Sequence, residues 1–599
     1  MDNRRASPPT GGFGRFRPGT PGVKPKDLRG TLRRLWDITT GHRRGLPLIL
    51  ALSAFASASA IFSPLIIGDA VNRIDAGDSA AWILIVLFAL YFGDWLIRFL
   101  QQFLMASIGQ RIILHIRATL FDSMKHLKLS YFDKNQHGEL MSRLTNDVDN
   151  ISQTISDSLS QLMVYAFTIV GILGFMLWLN VLLTGVSLLS VLLIFMLTKF
   201  VTKRTRKLFA QQQATLGRLN GQVEESISGL TMVKAYNRER AMIDDFSRIN
   251  EEFRAVATRA NIISGYLMPI TGVINNIGYL MIAVVSGIMA ARGMIGIGTI
   301  TSFLLYSRQF SRPFVDIANI YNMFQTAVAG AERIFQVLDE PPEPADAPDS
   351  APLTALAGHI EFRDVTFGYA PGEPVLKNIS LNVPAGTRVA IVGATGAGKT
   401  TIINLLTRFY DVDSGSILLD GRDLREYRMR DLRRAFGVVL QDTALFGMSV
   451  AENIGYGREG LPLDDVREAA RIAGADSFVR RLPEGYDTVL AQGGQALSQG
   501  ERQLLTIARA VLVDAPILIL DEATSSVDTM TERKIRSAML HITNGRTSFI
   551  IAHRLSTIRD SDLIVVIEKG GIVERGTHDA LMERGGQYAS MYRAQLGLE

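Results

Sequence analysis

Six long apolar stretches dominate the first half of the chain, near residues 46–68, 81–105, 160–180, 181–201, 265–290 and 297–320. A hydrocarbon core of about 30 Å needs roughly 20 residues of helix, so each stretch predicts a membrane-spanning helix. Only Leu179-Asn180-Val181 separates the third from the fourth, which predicts a tight hairpin. The second, fifth and sixth merge into polar connections whose pattern stays helical. Ahead of the first span, residues 26–39 put Leu28, Leu32, Leu35 and Trp36 on one helical face and Arg29, Arg33 and Arg34 largely on the other. That pattern predicts a basic amphipathic helix lying in the membrane interface. Beyond residue 338 the pattern breaks. The stretch 339–357, opening Asp339-Glu340-Pro341-Pro342-Glu343-Pro344, is acidic and Pro-rich and cannot continue a helix. From Gly358 to Glu599, short β-rich runs alternate with helical ones, the pattern of a soluble α/β domain.

Charge orients the spans. The connection from about 108 to 158 carries Arg111, Arg117, Lys125, Lys128, Lys134 and Arg143. The one from about 202 to 262 carries Lys203, Arg204, Arg206, Lys207, Arg218, Lys234, Arg238 and Arg240. The alternate connections (69–80, 179–182, 290–296) are short and poor in basic residues. The positive-inside rule then puts both long connections and both termini in the cytoplasm of a multi-pass protein of the cytoplasmic membrane. The helices are expected to run past the membrane and turn back near Tyr131–Glu139 and Ala235–Arg240. Residues 1–25 hold Arg4, Arg5, Arg15, Arg17 and Lys24 among Gly and Pro with no apolar core, as a disordered tail does and a signal peptide does not.

Composition agrees with a membrane part joined to a soluble one: 47% of the 599 residues are hydrophobic. There is no cysteine, which excludes disulfides, zinc–thiolate sites and a cysteine-peptidase domain.

The soluble part carries the chemistry. Val389-Ala390-Ile391-Val392 reads as a buried strand, and Thr401-Ile402-Ile403-Asn404-Leu405-Leu406 as a helix. Between them lies Gly393-Ala394-Thr395-Gly396-Ala397-Gly398-Lys399-Thr400, a phosphate-binding loop in the strand–loop–helix context that defines one. Its glycines let main-chain N–H groups face the β- and γ-phosphates, and the helix N-terminus adds partial positive charge. Lys399 is placed to reach the β/γ oxygens and the Thr400 hydroxyl to ligate Mg²⁺. The strand Ile517-Leu518-Ile519-Leu520 ends in Asp521, suited to hold Mg²⁺, and Glu522, suited to polarise the attacking water.

The segment Ala496-Leu497-Ser498-Gln499-Gly500-Glu501-Arg502-Gln503 resembles the L-S-G-G-Q signature of ATP-binding-cassette (ABC) ATPases. Other elements fall in the family's order. Tyr369 matches the aromatic that stacks on adenine, and Gln441 the Q-loop glutamine that contacts Mg²⁺. Ser525-Ser526-Val527-Asp528 matches the D-loop and His553 the switch histidine that contacts the γ-phosphate. The resemblance runs from about 30 to 590 and implies an ABC exporter half-transporter: a six-helix α membrane domain (26–338) with long cytosolic extensions, a linker (339–357) and an α/β P-loop NTPase (358–599). It implies ATP and Mg²⁺ as cofactors and a second half-transporter as partner, whose γ-phosphate would meet Ser498 and Gly500.

Two departures stand out. Gln499 and Glu501 replace Gly and Gln of the commonest signature, and Gln492 stands where exporters usually carry a glutamate. With Glu522, Gln441 and His553 intact, the mixture resembles the catalytic subunit of heterodimeric bacterial multidrug exporters, so a heterodimer is expected over a homodimer. A homodimeric lipid flippase and an ATP-gated channel share the fold. The substrate expectation is a hydrophobic or amphipathic drug, a lipid or a fatty acid. Asp94 and Arg98, four residues apart in the second span, are candidate cavity residues because ionisable groups at membrane depth are functional by default. Arg308 and Arg312 in the sixth span are candidates for an anionic head group, and Tyr91, Phe92, Phe103, Met176, Met281, Met289 and Met323 for an adaptable apolar surface.

Overall fold

The computed structural model describes residues 27–596 apart from 39–45, 347, 349, 351, 354–355, 441–442, 459, 495, 522–527 and 552–557. The expected N-terminal tail therefore lies outside the described residues. The chain divides into two compact units: residues 1–127 with 135–341, and residues 128–134 with 342–599.

The first unit is helical. It contains α1 (Leu28–Ile38), α2 (Leu46–Asp75) and α3 (Ala81–Lys125); α4 (Leu129–Lys134) belongs to the second unit. The next helix is continuous but segmented, with α5 (His137–Ser142), α6 (Val148–Gln153) and α7 (Leu159–Leu179) joined by π turns at Arg143–Asp147 and Thr154–Ser158. Then come α8 (Val181–Ser228), α9 (Leu230–Ala235), α10 (Glu239–Gly265), α11 (Leu267–Ala291) and α12 (Ile297–Leu338). The predicted hairpin is present: Asn180 alone parts α7 from α8, and its Oδ1 caps α8 by accepting from the Leu183 N–H at 3.1 Å. Five of the described helices are long and apolar enough to cross a membrane. The predicted sixth span is the 42-residue α12, but Ser307, Arg308, Gln309 and Arg312 break its apolar run and it is not among the five.

Small residues let α2 and α12 meet at backbone distance, as membrane helices require when no water drives them together. A Cβ built on Gly298 would stand 2.0 Å from the Gly68 carbonyl oxygen. Ser302 Oγ donates to the Pro64 carbonyl at 2.8 Å and Tyr306 to that of Ile61 at 2.5 Å. Gly298→Val is therefore expected to force the helices apart and destabilise the unit by about 1–3 kcal/mol, read as a lower unfolding temperature in detergent. Further along α12, Arg333 holds the buried carboxylate of Asp147 through two hydrogen bonds.

The helix expected over residues 26–39 is present as α1. Arg34 forms a bidentate ion pair with Asp339 and lies 4.3 Å over the Phe335 ring, which pins α1 to the end of α12.

The second unit has two sheets. One is antiparallel, in the order β2 (Leu376–Val383), β1 (Ile360–Phe367), β4 (Ser414–Leu419), β5 (Arg422–Asp423). The other runs β10 (Gly571–Gly576), β9 (Leu563–Glu568), β3 (Arg388–Val392), β8 (Thr547–Ile551), β7 (Ile517–Asp521), β6 (Phe436–Val439), parallel except for β10. Strand alternation sorts its residues into two cores. Ile517 and Ile519 join the core shared with the antiparallel sheet, while Leu518 and Leu520 join the helical core on the other face. Among its described residues the stretch 339–357 contains no helix, and Glu343 ties it to the second unit through Arg433.

Candidate functional site

β3 sits between β9 and β8, buried on both faces, and delivers residue 393 to the C-terminal edge of the parallel sheet. There the chain turns into α13 (Lys399–Leu406). The turn needs its glycines. Gly396 and Gly398 have φ of +82° and +104°, and a Cβ on Gly393 would lie 2.3 Å from the Ile567 carbonyl oxygen. Lys399 is 7% exposed, and its Nζ donates back to the carbonyls of Gly393 at 2.8 Å and Ala394 at 3.0 Å. Burial pulls its ammonium below the ordinary lysine range, and the nearby Asp521 carboxylate opposes the shift. Thr400 is exposed beside it, and Thr401 is buried. Asp521 closes β7 two strands away, 6% exposed. The loop, Lys399 and Asp521 thus converge at one sheet edge.

Tyr369 stands beside α13. Its hydroxyl donates to Thr401 Oγ1 at 3.2 Å and accepts from Asn404 Nδ2 at 3.0 Å. Its ring is 41% exposed, leaving a face for a planar base. Sequence reasoning missed its neighbour Tyr410. The rings of Phe367, Tyr369 and Tyr410 pack edge to face with centroids 5.1–5.5 Å apart, and the Tyr410 hydroxyl donates to the Asp133 carboxylate on α4. Burial, and then that carboxylate, raise the Tyr410 pKa. Nothing in the local sequence linked Tyr410 to a residue 277 positions earlier. Tyr410→Phe keeps the ring packing and releases Asp133. It is expected to speed hydrogen exchange across residues 128–134 while leaving the KM for ATP within about twofold.

The signature segment opens α14 (Gln499–Val513). Ser498 is its N-cap, and Glu501 completes a capping box: Glu501 Oε2 accepts from the Ser498 N–H and from the Ser498 hydroxyl, each at 2.9 Å. The departure at Glu501 therefore has a local structural role. Asp528, the described residue of the D-loop, is the N-cap of α15 (Thr529–Thr543); its Oδ1 accepts from the N–H groups of Thr531 at 2.9 Å and Met530 at 3.0 Å, which lower its pKa. The Gln492 backbone lies in the 3₁₀ turn Ala491–Gly493. Gln441, Glu522, Ser525, Ser526, Val527 and His553 lie outside the described residues.

In the membrane unit, Arg98 lines a cavity of about 730 Å³ bounded by α2, α3, α7 and α12. Its Nε stands 2.9 Å from both oxygens of Asp94. Arg308 is exposed and does not line that cavity. The residues named for an apolar surface differ in exposure. Met176 is fully buried between helices, Tyr91, Phe92, Phe103 and Met281 are exposed along their own helices, and Met323 faces Ser158 at 4.0 Å.

Residues 46–314 match the ABC transporter transmembrane region family, and residues 376–525 match the ABC transporter family of cassettes. The chain is 43% identical over 576 residues to an uncharacterized ABC transporter ATP-binding protein of Bacillus subtilis (YfiC), covering 96% of this chain and 95% of that protein. It is 44% identical over 559 residues to a fatty acid ABC transporter ATP-binding/permease protein of Mycobacterium tuberculosis, covering 92% and 88%. With the ATP-dependent lipid A-core flippase of Escherichia coli K12 it shares 34% identity over 575 residues, covering 95% and 98%. The solved structure of a bacterial Atm1-family ABC exporter with ATP bound superposes with a TM-score of 0.74 at 30% identity, over 95% of this chain and 99% of that one. The chain belongs to the ABC transporters, in the branch that fuses a transmembrane region to its ATPase cassette. The cassette binds ATP and couples its hydrolysis to transport across a membrane.

Proposed function

We propose that this chain is one half of an exporter of lipid-like or fatty-acid-like amphiphiles in the cytoplasmic membrane, with its ATPase unit in the cytoplasm. The observation that carries the reading is a phosphate-binding loop at the sheet edge, on the same chain as a membrane unit that holds a large cavity. The M. tuberculosis relative is described as a fatty acid transporter and the E. coli relative as a lipid A-core flippase. Both descriptions support an amphiphilic cargo.

In this reading Tyr369 stacks on adenine, and residues 393–401 cradle the phosphates. Lys399 exchanges its bonds to the Gly393 and Ala394 carbonyls for phosphate oxygens. Glu522 polarises the attacking water and His553 contacts the γ-phosphate. The oxygen donors of Thr400, Gln441 and Asp521 suit Mg²⁺, a hard cation that keeps waters and takes few protein ligands. Bound there, Mg²⁺ supplies charge neutralisation at the β/γ oxygens.

The partner is a second half-transporter, and a heterodimer is the favoured arrangement. Ser498 and Gly500 would meet the partner's γ-phosphate. The Ser498 hydroxyl already donates to Glu501, so a carboxylate stands where an anion would dock. That weakens the composite site completed by this chain's signature and leaves the one built on its own loop and Glu522. ATP binding would close the two cassettes because the closed state binds nucleotide better, and hydrolysis would reset them.

The test is ATPase activity of the purified chain in lipid, alone and with the product of a neighbouring half-transporter gene, with Glu522→Gln as control. Activity that appears only with the partner and vanishes in the variant supports the asymmetric pair. Full activity and transport from the chain alone would sink it and favour the homodimeric flippase.

A further inference from the structure

Among the described residues the cavity of the membrane unit has one ionic side chain on its wall, the cation Arg98, and no aspartate or glutamate lines it. Two carboxylates bond to wall residues without lining the cavity themselves. Asp94 accepts from Arg98 Nε at 2.9 Å through both oxygens, and Asp316 accepts from the Tyr165 hydroxyl at 2.7 Å. Within the Arg98–Asp94 pair the arginine side chain is 49% exposed and the aspartate 18%. The positive end of the pair is therefore the one on the wall, and the negative end is set back.

The manner of pairing matters. A guanidinium commonly meets a carboxylate through two nitrogens at once. Arg98 gives Asp94 its Nε alone, and its terminal nitrogens Nη1 and Nη2 make no hydrogen bond to a described residue. Four N–H groups in one plane are left, on a side chain whose Nε is already fixed. That fork matches two oxygens of a carboxylate or a phosphate, and its charge-assisted bonds are about twice as strong as neutral ones. A neutral head group gains nothing comparable, and an ammonium head group meets a like charge. Asp94 keeps the guanidinium from standing as a lone charge inside the second span. Gln102, one turn along α3, adds a neutral amide to the same wall.

We propose that Arg98 anchors the head group of the exported amphiphile and that this cavity selects an anionic one, a carboxylate or a phosphate ester, over neutral and cationic head groups. Asp94 is a positioning residue: it fixes the fork and, by its own charge, holds the affinity low enough for the cargo to leave. The inference rests on the amphiphile-export reading and specifies the chemistry of its cargo.

The experiment uses the full chain, with its partner half-transporter where activity requires one, in phosphatidylcholine nanodiscs. Oleate, dioleoyl phosphatidylglycerol, dioleoylglycerol and oleylamine are compared by native mass spectrometry and by stimulation of ATP hydrolysis. Oleate or phosphatidylglycerol is expected to bind best and stimulate most, and the stronger of the two tells whether the anion is a carboxylate or a phosphate. Arg98→Gln is expected to weaken that binding about tenfold or more, the worth of a charge-assisted hydrogen bond, without changing dioleoylglycerol binding. Asp94→Asn keeps an acceptor for Nε and removes the competing charge, so it is expected to tighten anion binding about fivefold. A purely structural ion pair would be weakened by both changes, so effects of the same sign overturn the proposal. The double variant, Asp94→Asn with Arg98→Gln, strands no charge and covers the case in which Arg98→Gln alone does not fold. An anion preference that survives in the double variant overturns the anchor and spares the export reading. If no amphiphile stimulates hydrolysis or binds better than dioleoylglycerol, both fall.

Discussion

Replacing Lys399 with alanine is expected to lower the ATPase kcat by at least about 10³-fold while leaving the protein folded. The reason lies in how the residue is held. Its ammonium is buried against the loop it serves and bound to the carbonyls of Gly393 and Ala394, so it enters the site as a charge already placed. Little reorganisation is needed to move it a short way onto phosphate oxygens. The loop itself is shaped by the backbone angles of Gly396 and Gly398 and by β3, none of which depends on the lysine side chain. Lys399→Arg should fare little better than alanine, because a planar guanidinium does not fit the space of a buried ammonium. Phosphate release under saturating ATP, with unfolding temperature alongside, is the measurement. Activity within tenfold of the parent chain would mean that hydrolysis does not run through this loop.

The second large effect belongs to the membrane unit. Arg333→Met is expected to destabilise it by about 3 kcal/mol, because it strands a buried carboxylate. Asp147 is 6% exposed at its side chain, and Arg333 holds it by two hydrogen bonds, one of 2.9 Å. That carboxylate in turn raises the Arg333 pKa. The reverse change, Asp147→Asn, should cost only about 1 kcal/mol, since Arg333 is 36% exposed and can turn to water. A double replacement by leucine should recover most of the larger loss, since neither partner is then left unpaired. Thermal unfolding of the three variants in one detergent ranks them. If Asp147→Asn were the most damaging, the pair would not be working as a buried clamp.

What the sequence disclosed follows from the range of the physics involved. The first five apolar runs, the loop between β3 and α13, and the single-residue hairpin at Asn180 depend on near neighbours, and all are where the pattern put them. The breaks at Arg143–Asp147 and Thr154–Ser158 left no such trace, because a π turn has no composition of its own. The partner of Arg34 was out of reach for a related reason: helical periodicity shows which face is polar, but not that Asp339 waits 305 positions away. Glu501 looked like a defect when set against a familiar motif. Local geometry gives it an ordinary task, capping a helix with Ser498. Of the charged residues singled out in the spans, Arg98 lines the cavity and Arg308 does not, because the run of apolar residues does not show which face of a helix turns inward.

One consequence concerns how this molecule can be taken apart. Residues 128–134 belong to the second unit although the rest of that unit begins at Pro342. The chain crosses from one unit to the other three times, so no single cut separates them. A fragment starting at Pro342 would carry the whole nucleotide loop and still be missing a piece of itself, with Tyr410 deprived of Asp133. Chimaeras that exchange only the C-terminal part between relatives inherit the same mismatch. A graft that keeps its native fit must bring along seven residues borrowed from the far end of the gene.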